Sequence, residues 1–532
     1  MQTLFIEYVS LILIILALVM FANKLRIAYP IVLVVGGLIL SYFPAFSNVK
    51  IEPDLVFFIF LPPLLYESAW QTSWKEFWKW RRVIASFAFP IVILTSCVVA
   101  FVSQALIPGF TLALGFLLGG IISPPDAISA TTIMRQLKVP KRLLSIIEGE
   151  SLMNDASSLI VFRFALAAVI TGQFHWQAAA NSFFWVIVMG TLIGLAIGFV
   201  FYAIHKWLPT TPSIEVVLTF LTPYFMYYAA EHFHFSGVLA VVSGGLLLSS
   251  KRQSMLTYLS RLQSTNVWSS LVFVLNGLVF LLIGLQLPTV VQQLGDTSIV
   301  TAVGYGLAIS FVLTLCRIIC TLGASLFTRF MSHFIKVADP NPGWRLPVIF
   351  GWAGMRGVVS LASALAIPLY IQEGQAFPNR NLILFITFIV ILVTLVFQGL
   401  TLPWLIKKLK IKDNSTPEKE QEVSIQHKMA QNSLAYLEEK YGKNCLQNEH
   451  ISNLYERLTI ELSFLSQAIE TRETSHGFTI KKNQTIYLEL LEQQRILLNE
   501  INHLDEFDEE LIRKYHTLID IEEYKIREKA IL

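Results

Sequence analysis

Through the first four hundred residues, apolar runs of about 20 residues, the length at which a helix crosses a ~30 Å hydrocarbon layer, alternate with short polar connections. They fall at 4–22, 27–46, 54–70, 83–107, 110–134, 144–171, 180–205, 213–233, 236–250, 267–288, 298–328, 345–370 and 382–406. This pattern predicts about 13 transmembrane helices. The pattern stops after Pro403, where Lys407-Lys408-Leu409-Lys410 opens a stretch rich in Glu, Lys, Gln and Leu. Apolar residues at three- and four-residue spacing in 429–441, 453–471 and 488–503 predict amphipathic helices there. The chain therefore reads as an all-α polytopic membrane domain, 1–410, followed by a helical tail, 411–532. The tail carries no binding motif, and it reads as a solvated helical appendage or a dimer contact, or else as a ligand- or pH-sensing regulatory domain.

Composition agrees. With 54% hydrophobic and 14% charged residues and a mean hydropathy of +0.59, the chain is no soluble domain, and no nucleic-acid partner is expected. Cys97, Cys316, Cys320 and Cys445 are too few and scattered for a disulfide framework and read as packing residues. The first run lacks a basic start and a cleavage site, so it reads as a retained span. Basic residues set the orientation. With the N-terminus outside, the inner loops hold Lys24 and Arg26; Lys75, Lys79, Arg81 and Arg82; Arg135, Lys138, Lys141 and Arg142; Lys206; Lys251, Arg252 and Arg261; and Arg329, Lys336 and Arg345. The outer loops hold only Lys50 and Arg380, so odd parity places the C-terminus and its tail in the cytosol.

Candidate chemistry begins where polar groups persist in apolar runs, since a charge at the bilayer centre costs roughly 2.5–3.5 kcal/mol on insertion scales. In the sixth run Glu150, Ser151, Asn154 and Asp155 sit at i, i+1, i+4 and i+5, on one helix face. Counted from Leu144, Asp155 lies about 16 Å along the helix, near the midplane where an alternating-access carrier holds its substrate. A carboxylate beside hydroxyl and amide oxygens suits a hard cation such as Na⁺, and equally a proton. If both compete for Asp155, one residue couples opposite fluxes; Asp155 and Ser151 are the expected Na⁺ ligands.

The fifth run contains Gly119-Gly120-Ile121-Ile122-Ser123-Pro124-Pro125-Asp126, where two prolines force a break and Asp126 opens the next half-helix against its positive dipole end. The twelfth contains Gly351-Trp352-Ala353-Gly354-Met355-Arg356-Gly357, a second break whose Arg356 would oppose negative dipole ends. Two interrupted helices seven positions apart predict inverted repeats, the first to sixth and eighth to thirteenth runs, with the binding centre between them. Arg317, deep in the eleventh run, needs a partner, and Glu150 is assigned to it. Glu67 is expected to line the ion path, Glu148 to stand at its entrance, and Arg163 to reach the outer interface.

These residues resemble the Na⁺/H⁺ exchangers of the cation:proton antiporter-1 type over approximately 1–410. The resemblance rests on Pro62-Pro63 with Glu67, Ser123-Pro124-Pro125-Asp126-Ala127, Gly149-Glu150-Ser151-Leu152-Met153-Asn154-Asp155-Ala156, and Gly354-Met355-Arg356-Gly357. It implies a 13-helix antiporter fold with crossed broken helices, a homodimer, and Asp155 as ion ligand assisted by Asn154 and Ser151. It further implies an Arg317–Glu150 pair, stabilisation of the crossing by Asp126 and Arg356, elevator-like alternating access, and the Asn-Asp pair of electroneutral exchangers. Arg317 cannot release a proton, so Asp155 alone is left to exchange one H⁺ for one cation. Pro125 stands where many relatives have threonine or another residue; a hydroxyl ligand is then missing, backbone carbonyls and Ser151 are left to coordinate, and the choice between Na⁺ and K⁺ stays open.

The expected function is thus a plasma-membrane antiporter of Na⁺ or Li⁺ against H⁺, serving pH homeostasis. It is not an enzyme, and it works with the lipid bilayer, monovalent cations and protons and no cofactor. A K⁺/H⁺ antiporter is the rival within the class. A cation channel lacks a filter motif here, and an intramembrane aspartyl protease using Asp126 and Asp155 lacks the facing-carboxylate context.

Overall fold

The computed structural model describes residues 2–25, 27–43, 46, 56–137, 139–172, 176–292, 294, 297–335, 337, 339, 343–372, 375–411, 418–441, 449–471, 477–501 and 509–531. Arg26, Lys50, Lys138 and Lys336 of the loop-charge pattern, Cys445, residues 412–417 after the predicted domain boundary and residues 502–503 of the last predicted tail helix lie outside the described residues. The chain divides into two compact units, Met1–Asp413 and Asn414–Leu532.

Helices of the first unit are α1 (Gln2–Leu25), α2 (Tyr29–Leu40), α3 (Leu61–Gln71), α4 (Trp74–Leu106), α5 (Leu112–Ile122), α6 (Ala127–Gln136), α7 (Lys141–Thr171), α8 (Trp176–Trp207), α9 (Pro212–His232), α10 (Gly237–Met255), α11 (Tyr258–Gln292), α12 (Ile299–Met331), α13 (Arg345–Trp352), α14 (Val358–Leu365) and α15 (Arg380–Leu409). A small antiparallel hairpin, Tyr370–Gln372 with Gln375–Ala376, joins α14 to α15. Every predicted apolar run contains helix, and among the described residues seven helices are long and apolar enough to cross a membrane. The apolar stretch of α8 is only 17% buried within the unit. So much exposed apolar surface calls for a lipid or protein surround.

Several helices extend past the hydropathy limits. The fourth run begins at residue 83, yet α4 starts at Trp74, so Lys75, Lys79, Arg81 and Arg82 stand on a helical turn and not in a loop. Hydropathy marks where lipid solvates a helix; Ser73, whose Oγ accepts from the Glu76 N–H at 3.5 Å, marks where this one starts. Small residues let neighbours approach closely. α2 packs on α11 where a Cβ on Gly37 would meet the Gly284 Cα at 3.1 Å.

Two helices are interrupted as the Pro-Pro and Gly-rich segments predict, α5/α6 over Ser123–Asp126 and α13/α14 over Ala353–Gly357. They meet. The Asp126 N–H donates to the Met355 carbonyl at 2.7 Å, and Arg356 Nε donates to the Ile122 carbonyl at 2.8 Å. Each interruption thereby satisfies backbone groups the other leaves unpaired, as a non-aqueous setting demands.

The second unit holds α16 (Glu418–Tyr441), α17 (Glu449–Thr471), α18 (Gly477–Ile501) and α19 (Glu509–Ile531). α16 pairs with α17, and α18 with α19, where Arg495 donates to Asp520 at 2.7 Å and also pairs with Glu523.

Candidate functional site

Asp126 N-caps α6: its Oδ1 accepts from the Ile128 N–H at 3.1 Å and its Oδ2 from the Ser129 hydroxyl at 3.4 Å. Its carboxylate thus meets the positive helix end. Arg356, fully buried, mirrors it, covering the C-terminal carbonyls of α5 with bonds to Ile122 and Ser123 (3.3 Å) and reaching its own break at the Gly354 carbonyl. Gly357 has no room for a side chain, because a Cβ would stand 2.6 Å from Asp126 Oδ2.

α7 is fastened to this crossing by residues of its polar face. Asn154 Nδ2 donates to the Pro125 carbonyl at 2.9 Å, and Ser151 Oγ accepts from the Ala127 N–H at 3.1 Å. Glu150 turns towards α12, accepting from Arg317 Nη2 at 2.6 Å with both side chains almost wholly buried. Arg317 Nε also donates to the Phe350 carbonyl at the end of α13, at 3.3 Å.

Asp155 remains. Among the described residues no donor hydrogen-bonds its carboxylate, which is buried and lines a cavity of about 390 Å³. Asp126, Ser151 and Glu67 line the same cavity; Glu67 accepts from Gln71 within α3. Asn154 is not part of that wall, since its amide holds the break, and its Oδ1 is buried without a partner. The site residues named from sequence are therefore brought together in three groups: Asp155, Ser151, Asp126 and Glu67 around the cavity, Asn154 and Arg356 at the crossing, and Glu150 with Arg317 beside it.

Residues that sequence reasoning passed over complete the wall. Tyr29 of α2 and Asn276 of α11 line the same cavity, and Asn276 Oδ1 is buried and unpaired. The available signal was a lone amide in an otherwise apolar stretch of the tenth run. At the cavity mouth Glu148 pairs with Arg135 at 2.8 Å. Arg163 does not simply reach the interface: it holds both oxygens of Glu231 at 2.7 Å, and Glu231 also accepts from the Gly237 N–H at 3.1 Å. Away from the mouth, α5, α7 and α15 close on an apolar cluster that includes Leu117, Phe162 and Ile383.

A single carboxylate without hydrogen-bond donors, set among hydroxyl, carboxylate and amide oxygens, can take a proton or a hard monovalent cation. No group of three or more His, Cys, Asp or Glu side chains able to hold a metal ion exists among the described residues.

Residues 10–408 match the profile of the family described as "Sodium/hydrogen exchanger, transmembrane". The chain is 36% identical over 389 residues to a sodium, potassium, lithium and rubidium/H⁺ antiporter of Bacillus subtilis (strain 168), a match covering 71% of this chain and 57% of that relative's length. It is 30% identical over 541 residues to an antiporter of the same description from Bacillus pumilus (strain SAFR-032), covering 97% and 79%. In fold it resembles the sodium proton antiporter MjNhaP1 from Methanocaldococcus jannaschii, with a TM-score of 0.61 at 16% identity over 76% of this chain and 99% of that one.

Proposed function

The chain belongs to the sodium/hydrogen exchanger family, transporters and not enzymes, and from that premise we propose that it exchanges Na⁺ or Li⁺ for H⁺ by alternating access, with Asp155 as the shared carboxylate. The observation that carries this reading is the cavity of about 390 Å³ in which Asp155 stands without hydrogen-bond donors beside Ser151 and Asp126. Deprotonated, Asp155 supplies the anionic oxygens a hard cation needs, and the Ser151 hydroxyl adds a neutral one. Protonation removes the charge and expels the cation. Asp126 is committed to a helix end, Glu150 to Arg317 and Glu67 to Gln71, so Asp155 is the cavity carboxylate left to trade one proton for one cation, and the exchange is one for one. Arg317 keeps its proton throughout, so no second charge moves.

The same reading takes Glu67 as a way-station on the ion path, the cavity mouth at Arg135 and Glu148 as cytosolic, the N-terminus as external and the tail as cytosolic. The protein works as a homodimer in the plasma membrane, needs no cofactor, and moves the crossed helices as an elevator. Relatives whose names include potassium, and the absence of a hydroxyl at Pro125, favour K⁺ as the alternative cargo. Proteoliposomes with an internal pH dye, given Na⁺, Li⁺ or K⁺ in turn, test both. Proton efflux with Na⁺ and Li⁺ but without a membrane potential is expected. Response to K⁺ alone rejects the Na⁺ assignment, and a current accompanying exchange rejects the one-for-one count.

A further inference from the structure

A second cavity, of about 240 Å³, shares no lining residue with the first. It lies between the Trp74 end of α4, the first turns of α7, the last turns of α12 and the short helix α13. Its wall divides by chemistry. Lys79, Arg81, Arg82 and Arg142 supply four cations; the carboxylate in the lining, Asp339, is bound by Arg142 at 3.0 Å, and Glu76, one turn before Lys79 on α4, lies 3.9 Å from its ammonium. The remaining wall is mainly apolar, with the hydroxyls of Ser86, Thr321, Ser325 and Thr328 set into it: Ile146 and Phe350 are among its apolar side chains, as are Phe327 and Ile335, 64% and 43% exposed. Trp74 and Trp78 stack on each other at the same end of α4, and Arg81 lies 4.5 Å over the Trp78 ring. Tryptophan with Lys and Arg is the composition of a membrane–water boundary.

We propose that this cavity binds an anionic phospholipid, its phosphate among Lys79, Arg82 and Arg142 and an acyl chain along Phe327 and Ile335. The shared chemistry is a phosphate ester. A soluble one would leave the apolar half of the wall unfilled and exposed, whereas a lipid of the adjoining leaflet fills both halves and is held there by the surface potential that draws basic side chains to anionic membranes. The site also touches the transport machinery from behind. Phe350 lines the cavity, and its carbonyl is the one that receives Arg317 Nε. An occupant therefore braces the end of α13 against the Glu150–Arg317 pair.

The full-length protein in detergent is titrated with phosphatidylglycerol or phosphatidylcholine of matched chains, with bound lipid counted by native mass spectrometry and thermal stability read in parallel. Phosphatidylglycerol is expected to bind at least about tenfold more tightly and to raise the melting temperature. Lys79→Gln with Arg82→Gln is expected to weaken it about tenfold or more, the factor that two near-surface cations carry. Lys79 is 53% exposed, and the pair of changes leaves the apolar core untouched. Phe327→Gln, which keeps every charge, is expected to weaken binding as well, while Lys206→Gln with Lys251→Gln, outside the cavity, leaves it unchanged. Equal binding of the two lipids, an unaffected Lys79/Arg82 variant, or equal loss in the Lys206/Lys251 variant would overturn the proposal. So would displacement by glycerol phosphate at matched concentration, which would make a soluble phosphate ester the ligand.

Discussion

Replacing Arg317 by alanine removes the cation that holds Glu150 beside the crossing. The guanidinium sits 2.6 Å from Glu150 Oε1, and the two side chains are 3% and 1% exposed. At an effective dielectric of 20 the pair attraction is about 6 kcal/mol, most of it offset by the desolvation of both ions. Removing one ion leaves the other buried and uncompensated, which costs about 3–5 kcal/mol. With an unfolding entropy of about 2.1 cal/mol/K per residue across Met1–Asp413, each kcal/mol corresponds to roughly 1.2 °C. The expected fall in melting temperature is thus on the order of 4–6 °C, with a lower folded yield. Thermal unfolding of purified protein in detergent, followed by intrinsic fluorescence and by size-exclusion recovery, measures it. The double change Glu150→Gln with Arg317→Met removes both charges and should recover most of the loss. An unchanged melting temperature in the single variant, or losses in the double variant that simply add, would mean that this pair does not brace α7 against α12.

Three further outcomes follow from the site. Asp155→Asn keeps shape but not charge, so exchange should fall to the liposome background while the melting temperature stays within about 2 °C; retained Na⁺-driven proton movement in that variant removes Asp155 from the mechanism. Because a proton and a cation compete for one carboxylate, lowering pH below its titration should raise the apparent KM for Na⁺ about tenfold per pH unit with the maximal rate little changed; a KM flat across that range contradicts competition. Gly357→Ala brings a Cβ to 2.6 Å from Asp126 Oδ2. The resulting shift in the crossing should cost about 1–3 kcal/mol and lower the exchange rate, and wild-type stability would show that the two breaks have slack.

Both broken helices were legible because proline and glycine at lipid depth leave backbone groups that must be answered somewhere. The Arg317–Glu150 pairing was legible for a similar reason: a guanidinium stays charged, and few carboxylates are deep enough to meet it. Helix limits were less so. Trp74–Arg82 carries too much charge for a hydropathy reading, yet it is helix, since its charged side chains can face water while Phe77 and Trp80 turn inward. Arg163 shows the limit of depth arguments. Its distance past Asp155 places it near an interface, but its partner Glu231 lies 68 positions away, on α9, where no local spacing points. The contribution of Tyr29 and Asn276 to the cavity was hidden because it is decided by packing between α2 and α11, which leaves no periodic trace.

Four polar residues on one face of α7 read in sequence as a single ion-binding set, yet they divide the work. Glu150 is tied to α12, Ser151 and Asn154 to the α5/α6 break, and Asp155 alone turns an uncommitted carboxylate to the cavity. The helical period gives a face about 100° wide, and within it rotamers decide which neighbour each side chain meets. The division has a mechanical consequence. Through Glu150–Arg317, Asn154–Pro125, Asp126–Met355 and Arg356–Ile122, the carboxylate is linked to α5, α6, α7, α12, α13 and α14 by bonds of 2.6–2.9 Å. Moving Asp155 relative to either break would sever bonds that have no water to replace them. α2 and α11, which also line the cavity, carry none of these links. On the proposed alternating-access reading, sliding α7 with its crossing past the α2/α11 pair would leave these four bonds intact and would part the Tyr29 hydroxyl of α2 from Thr132 of α6.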